Sequence, residues 1–485
     1  MTDGAVICLA LVVFTWAVLS EWLAARNVTG PLVLVAAGLV LGNASWGLVD
    51  VNLESTFVHS LAELTLALLL FADASKVPVA SARSEVTVQF MLELAGALND
   101  AGEPVALNQA RMERIAAAYD ITHARLAVLP NMVLAAGGRG SPTALELTHL
   151  RLSTNRLDRT AAVDILAREA ERGAVDPQDG LRRLDEIAAM RHRFGTAGVI
   201  GGHMILTLGL ALILQPTPQA LAAAAVFGAM IGALKIYARD LQTIGVLLPI
   251  AAATLISALA FWIRPDQTID GSMRILIPAL VTFIPGSLLT TATLDLSAGE
   301  VISGSSRLVA GTMQLVLLSF GIAVGALLAG VSLDEALTNE PDNTLGDWAP
   351  WLGVIVFGIG AFLHFSGPPR SLGWLLVVLL AAWIGQQAGG RLVSDTLGAF
   401  SGALIATPVA AWVATRPSGP PSLASFQPAF WLLVPGAVGL IGMAEFVGSN
   451  REAGLDHFVN SLITFISIGI GVLVGNALVL RWTRR

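Results

Sequence analysis

Two Pro-Gly pairs stand 150 residues apart, Pro285-Gly286 and Pro435-Gly436. Ten residues after the proline of each comes an acid, Asp295 in the first case and Glu445 in the second. Both pairs lie in apolar stretches, where an acid is expensive and so reads as functional. The surroundings of Asp295 are the richer: Ser287, Thr290, Thr291 and Thr293 precede it, and Glu300, Ser303 and Arg307 come after it. Hydroxyls suit the polar groups of a zwitterion, and helix ends opened at Pro-Gly offer free N–H and C=O groups to a carboxylate and an ammonium. Arg307 would suit a second carboxylate. Against this stand two plainer readings: an interfacial acid for Asp295 and Glu445, and hydroxyls that bond back to their own helix. The candidate transport residues are Pro285, Gly286, Thr290, Thr291, Asp295, Arg307, Pro435, Gly436 and Glu445. Asp395 and Ser401 are weaker cavity candidates, and His364 is a proton-relay candidate set against a packed histidine.

Such chemistry needs a particular solvent. The 485 residues are 55% hydrophobic and 13% charged, with mean hydropathy +0.72, whereas soluble domains carry about a quarter charged residues. A helix of about 20 mainly apolar residues crosses a bilayer core, and such stretches recur along the chain. The chain reads as an integral, polytopic membrane protein. The single cysteine, Cys8, excludes an intrachain disulfide framework or a Cys-based metal site. His123, His149 and His192 lack metal-ligand spacing, and neither a nucleophile motif nor a phosphate-cradling loop is present. No enzyme activity, cofactor or metal is expected, and no basic cluster reads as nucleic-acid binding. Met1–Gly4 carries no Lys or Arg and the first apolar run lacks a cleavage pattern, so that run is expected to stay in the mature chain.

The elements emerge from hydrophobic patterning. Residues 1–80 hold three expected spans. Residues 81–195 read as a small water-soluble α+β domain, with helical spacing at 88–99 and 108–119, β-like runs at 125–129, 132–136 and 145–152, and amphipathic helices at 160–172 and 177–190. Asp176 is the expected N-cap of the last. Ten more spans are expected, near 196–214, 219–236, 243–263, 275–295, 308–331, 350–366, 371–386, 393–413, 428–446 and 458–480. The acidic loop 332–349 has no Lys or Arg, and placing residues 81–195 in the cytoplasm puts most Lys and Arg inside. The N-terminus then lies outside and the C-terminus in the cytoplasm, in a bacterial inner or plasma membrane.

Pro278-Ala279 and Pro428-Ala429 repeat at the same 150-residue offset. Proline removes a helical donor and glycine loosens the next turn, so each Pro-Gly segment should be a broken or kinked helix. Two groups of five spans, 196–331 and 350–485, enter the membrane from opposite sides, as in an inverted repeat. The fold class is an all-α polytopic membrane protein of about 13 spans, ten of them in two inverted five-helix repeats, with a small cytoplasmic α+β domain inserted before them.

From about residue 88 onward the chain resembles the threonine/serine exporter family. The resemblance rests on FMLELAGALNDAGEP (Phe90–Pro104), on RLDRTAAVDILAREAERGAVDPQDGLRRLDEI (Arg156–Ile187), and most strongly on IPGSLLTTATLDLSAGEVISGSSRLVAG (Ile284–Gly311). The last is similar to that family's Pro-Gly…Asp…Gly…Gly…Arg signature, which carries over to Pro285, Gly286, Thr290, Asp295, Gly299, Gly304 and Arg307. The resemblance implies export of threonine and serine driven by the proton motive force. Relatives split over two chains resemble succinate exporters, so a dicarboxylate is the alternative substrate. Pro130-Asn131 departs from the Pro-Thr of many relatives. Ser20–Gly42 and Ala62–Ser75 resemble the opening helices of monovalent cation:proton antiporters, without that family's paired-acid ion site. The expected partners are a small-molecule substrate, protons, lipid and further copies of the chain. A non-transporting membrane sensor is the alternative from another class.

Overall fold

The computed structural model describes residues 82–485, apart from 122–124, 131, 137–142, 147–155, 215–216, 239–246, 264–271, 332–344, 393, 417, 434–439, 441, 444, 446–450 and 484–485. The three expected N-terminal spans, Pro435 and Gly436 lie outside the described residues.

The polar segment comes first. Helix α1 (Ala82–Asp100) buries Phe90, Met91, Leu94 and Leu98 completely. Helix α2 (Val105–Ala118) turns Val105, Asn108, Met112 and Ile115 inward at intervals of three and four, which is one helical face. Burying each large apolar side chain contributes about 1.5–3 kcal/mol. Asn108 Nδ2 donates to Ala95 O at 2.8 Å and to Asn99 Oδ1 at 2.9 Å, and Asn99 Nδ2 donates to Leu129 O at 2.8 Å. These bonds use both amide hydrogens of Asn108 and tie α1 and α2 to the sheet. That sheet is antiparallel in the order β1 (Arg125–Leu129), β2 (Met132–Ala136), β3 (Thr143–Glu146), with Leu129 opposite Met132 and Val133 opposite Glu146. The third strand starts two residues earlier than the sequence suggests, and 147–155 is not described. Helix α3 (Leu157–Ala170) and helix α4 (Pro177–Ala189) complete the segment. Asp176 caps α4, accepting from Gln178 N at 3.0 Å.

Apolar helices make up the rest: α5 (Gly195–Ile213), α6 (Pro218–Tyr237), α7 (Leu248–Ile263), α8 (Ser272–Leu280), α9 (Gly286–Ser297) and α10 (Val301–Leu328). Beyond the acidic loop come α11 (Ala349–His364), α12 (Leu372–Leu392), α13 (Asp395–Val413), α14 (Ser422–Leu433) and α15 (Arg451–Thr483). Among the described residues six helices are long and apolar enough to cross a membrane, or seven if the bent pair α8–α9 is one span. The expectation of ten spans after residue 195 is met only to that extent. At 16 residues each, α7 and α11 are shorter apolar helices, about 24 Å long against a core of about 30 Å. Helix α10 leaves Ile302, Val309, Leu327 and Leu328 exposed, an apolar outer face that suits lipid. The chain is a mostly helical, multi-pass membrane protein.

Polar segment and helices meet at defined bonds. Leu157 N donates to Phe365 O at 2.8 Å and Asp158 N to Ser366 O at 3.1 Å. Ser366 Oγ donates to Asp158 Oδ2 at 2.7 Å and accepts from Arg193 N at 3.0 Å. Ser366 has φ +56°, a strained value for a residue with a side chain, and these bonds hold it there.

Candidate functional site

Helices α8 and α9 meet at the first Pro-Gly. A 3₁₀ turn (Val281–Phe283) ends α8, and the helix axis bends by 56° before α9 starts at Gly286. The expected break at Pro285 is present, and its cause is local. Proline offers no N–H to continue the ladder, and Gln314 of α10 supplies a side-chain donor to the stranded Phe283 carbonyl. The second expected break, at Pro435-Gly436, lies outside the described residues.

The break opens on a cavity of about 730 Å³. Ile277, Val281, Ile284 and Gly286 form one wall, and Trp383, Gln386, Gln387 and Arg391 of α12 another. Thr396, Asn460 and Thr464 add further polar groups. No side chain caps the first turn of α9, so its positive dipole end stands at the cavity wall. Trp383 is 6% exposed, and its Nε1 has no hydrogen-bond partner; neither does Gln386 Oε1, one turn further along α12. A buried donor and a buried acceptor without partners each cost about 1–3 kcal/mol. Both belong to residues that line the cavity, where a ligand or water would satisfy them.

The other end of α9 is closed. Asp295 is fully buried, and its Oδ1 accepts from Val105 N, the first N–H of α2, at 2.8 Å. Its Oδ2 lies 3.3 Å from Arg307 Nε, and Arg307 is 9% exposed. The carboxylate thus sits between a guanidinium and a helix N-terminus. Gly299, with φ +87°, makes the turn between α9 and α10, a conformation that glycine adopts without strain. A Cβ on Gly304 would strike Leu296 and the Ala292 carbonyl, so α10 can approach α9 closely only with glycine there.

Residues 89–329 match the family model described as "Putative threonine/serine exporter". Over these residues the chain belongs to the threonine/serine exporter family. A protein of Mycobacterium tuberculosis described as "Probable threonine/serine exporter" is 25% identical over 418 residues, which cover 80% of this chain and 75% of that protein. The "Pheromone-regulated membrane protein 10" of Zygosaccharomyces rouxii is 24% identical over 218 residues, which cover 41% of this chain but only 22% of that protein. No solved structure matches the chain significantly.

Within this exporter-family chain the sequence candidates separate. Gly286 lines the cavity and Pro285 precedes it as the N-cap of α9. Thr290 is buried and donates to Gly286 O at 3.0 Å, the plainer reading for a helical hydroxyl; Thr291 is 5% exposed. Asp295 and Arg307 pair with each other, and neither lines the cavity. Glu445 pairs with His457 Nδ1 at 2.5 Å. Ser401 donates to its own helix at Leu397 O, and Asp395 opens α13. Trp383, Gln386 and Arg391 were not among the candidates. The available signal was their polarity inside the apolar run of α12, weaker than a proline or a lone acid.

Proposed function

We propose that this chain is a secondary-active exporter of small amino acids, threonine and serine, driven by the proton gradient across a bacterial inner or plasma membrane. The observation that carries this reading is the cavity at the α8–α9 break with its unpartnered Trp383 and Gln386 groups. Its volume of about 730 Å³ falls within the range of small-molecule sites, about 300–1,000 Å³. A substrate carboxylate is served by the start of α9 at Gly286, by Trp383 Nε1 and by Arg391. Its ammonium is served by Gln386 Oε1, and a side-chain hydroxyl by Gln387 or Thr396. Pro285 keeps this helix end open, Thr290 and Thr291 pack behind it, and Asp295 with Arg307 fixes its far end.

In this reading residues 81–195 form a cytoplasmic domain and 1–80 add three spans. Residues 196–331 and 350–485 are inverted five-span repeats joined by the extracytoplasmic loop 332–349, with Pro435, Gly436 and Glu445 as the second copy of the motif. The constant 150-residue offset supports the repeat. A second reading, export of a dicarboxylate, is favoured by Arg391 in a cavity that no acid lines among the described residues.

Efflux of labelled threonine and of labelled succinate from preloaded cells, with and without an uncoupler, decides between them. Uncoupler-sensitive threonine efflux is expected. Trp383→Phe and Gln386→Leu each remove one polar partner and are expected to slow it by roughly 2–10-fold without loss of folded protein. Succinate efflux alone would favour the second reading. If neither compound leaves faster than from empty-vector cells, both readings fail.

A further inference from the structure

Behind the wall of the cavity lies a second polar cluster. His203 of α5 is fully buried. Its Nδ1 lies 3.0 Å from Gly228 O of α6, and its Nε2 lies 3.0 Å from Thr282 Oγ1 in the 3₁₀ turn. Lys235 of α6 donates to the same Thr282 oxygen and sits 4.9 Å from the centre of the Phe283 ring. The ring of His364, from α11, stands edge-on to that of His203 at 4.8 Å, with its own Nδ1 on Val199 O at 2.8 Å. Three ionisable side chains from three apolar helices therefore gather at the turn where α8 breaks.

The hydrogen bonds have a direction. A carbonyl can only accept, so Gly228 O fixes the proton of neutral His203 on Nδ1 and leaves Nε2 as an acceptor. An ammonium can only donate, so Thr282 Oγ1 accepts from Lys235 and gives its own O–H to His203 Nε2. The result is a donor chain from Lys235 through Thr282 to His203.

We propose that Lys235, Thr282 and His203 form the proton-coupling site of the transporter. The proposal rests on the exporter reading above and deepens it. In the transfer, one proton moves from Lys235 Nζ to Thr282 Oγ1 as the hydroxyl proton moves to His203 Nε2. A neutral amine and an imidazolium remain, with no net gain or loss of charge. Exchange with water at Lys235 then loads or empties the pair. Once His203 Nε2 carries a proton it donates, so Thr282 must turn from giving to accepting. Thr282 stands between Val281 and Phe283, and Val281 and Ile284 line the cavity. His203 and Leu210, another lining residue, lie seven positions apart on one face of α5. Proton occupancy is thereby felt at the substrate wall through the turn and through α5.

The site suits a proton rather than a metal cation, because its two nearest groups to Thr282 are an ammonium and a ring nitrogen. Its other polar neighbours are Thr207 on α5, 3.4 Å from His203 Nδ1, and His192, whose Nε2 lies 3.0 Å from His364 O. Arg193 and Asp158 flank it more distantly through Ser366. Among the described residues no carboxylate pairs with Lys235.

The test uses the purified full chain in proteoliposomes, with labelled threonine as the probe. Three quantities are read: threonine exchange at equal pH, accumulation driven by a pH gradient, and threonine-evoked proton flux. His203→Gln is expected to lower gradient-driven accumulation about ten-fold or more and to remove the proton flux, with exchange reduced by no more than a few-fold. Wild-type proton flux in His203→Gln overturns the proposal. If that variant loses exchange as well, Thr282→Val, of nearly the same shape, decides. Exchange without proton flux supports the proposal; retained flux, or loss of exchange, overturns it. Absence of threonine exchange in the wild type is a different failure, since it removes the exporter reading itself.

Discussion

Helix α9 has two ends of opposite character. Its first residue, Gly286, stands in the wall of a cavity, with no side-chain cap and with unsatisfied groups of Trp383 and Gln386 in the same lining. Near its last residue, Asp295 is fully buried between Arg307 and the first N–H of α2. At 12 residues the helix is about 18 Å long, so the two ends do separate work. One end is open and short of partners, as a binding site should be. The other end is filled, with Asp295 ion-paired to Arg307 and bonded to α2, as a structural joint should be, although Asp295 Oδ2 and Arg307 Nε make no hydrogen bond there. An acid in an apolar run is thus not by that fact a substrate ligand: Asp295 joins two membrane helices to the polar segment.

The largest expected effect comes from emptying the joint. Asp295→Ala leaves Arg307 buried beside a vacated carboxylate and deprives Val105 N of its acceptor. Removal of one partner from a buried pair costs about 3–5 kcal/mol. A lower unfolding temperature in detergent and a lower yield of folded protein are the readouts. Replacing both partners with apolar groups, Asp295→Leu with Arg307→Met, is expected to recover most of that loss. If the double variant folds and exports, the joint is structural. If it folds and no longer exports, the acid takes part in transport and the contrast between the two ends breaks down.

The broken helix was legible in the sequence because its cause is local: Pro285 lacks a donor wherever it stands. The polar segment was legible for the same sort of reason, through three-and-four spacing in α1 and α2 and through Asp176 before Pro177. Two of the signature residues prove to be architecture, Gly299 for its positive φ and Gly304 for the close approach of α10. The partners of Asp295 were not legible beyond Arg307, since Val105 lies 190 residues away in sequence. Nor was the cavity, whose polar groups come from helices spread over the second half of the chain. His203, Lys235 and Thr282 each looked like one polar residue in an apolar run or at its edge, and only folding brings them to one turn. Of the ten spans expected after residue 195, the two at α7 and α11 are apolar but short, and the one near 428–446 lies partly outside the described residues.

A smaller effect belongs to the closed end and depends on pH. Two residues before Val105, Glu103 is 4% exposed and 2.9 Å from Arg111 Nε. Burial pushes Glu103 up from 4.5 to about 7, against the pull of Arg111. Burial also works against the Arg111 guanidinium, but Glu103 and Asp164 outweigh it and hold Arg111 above its ordinary value. For Glu103 the folded value lies above the unfolded one, so the folded state holds the proton more tightly. Its contribution is fully present below about pH 4.5 and is lost as pH rises through about 7. The shift corresponds to something on the order of 3 kcal/mol. Glu103→Gln, which cannot titrate, should lose less stability than the wild type between about pH 5 and about pH 8. Parallel unfolding curves for the two proteins across that window would mean that Glu103 stays ionised beside Arg111.

The smallest change isolates a single bond. Val105 opens α2, and Pro104 before it has ψ 140°, a conformation that tolerates a following proline. The first position of a helix also accepts proline, because its N–H has no partner within the helix. Val105→Pro therefore keeps the backbone and most of the buried side chain while deleting the donor to Asp295. A hydrogen bond to a charged group is worth about 1.5–3 kcal/mol, so the loss should be clear but smaller than for Asp295→Ala. The same substitution in the Asp295→Leu, Arg307→Met background has no carboxylate to strand and should cost almost nothing more. Equal losses in the two backgrounds would trace the effect to strain in α2. A loss confined to the wild-type background would assign it to the bond that closes this end of α9, the end at which the polar segment holds the membrane helices.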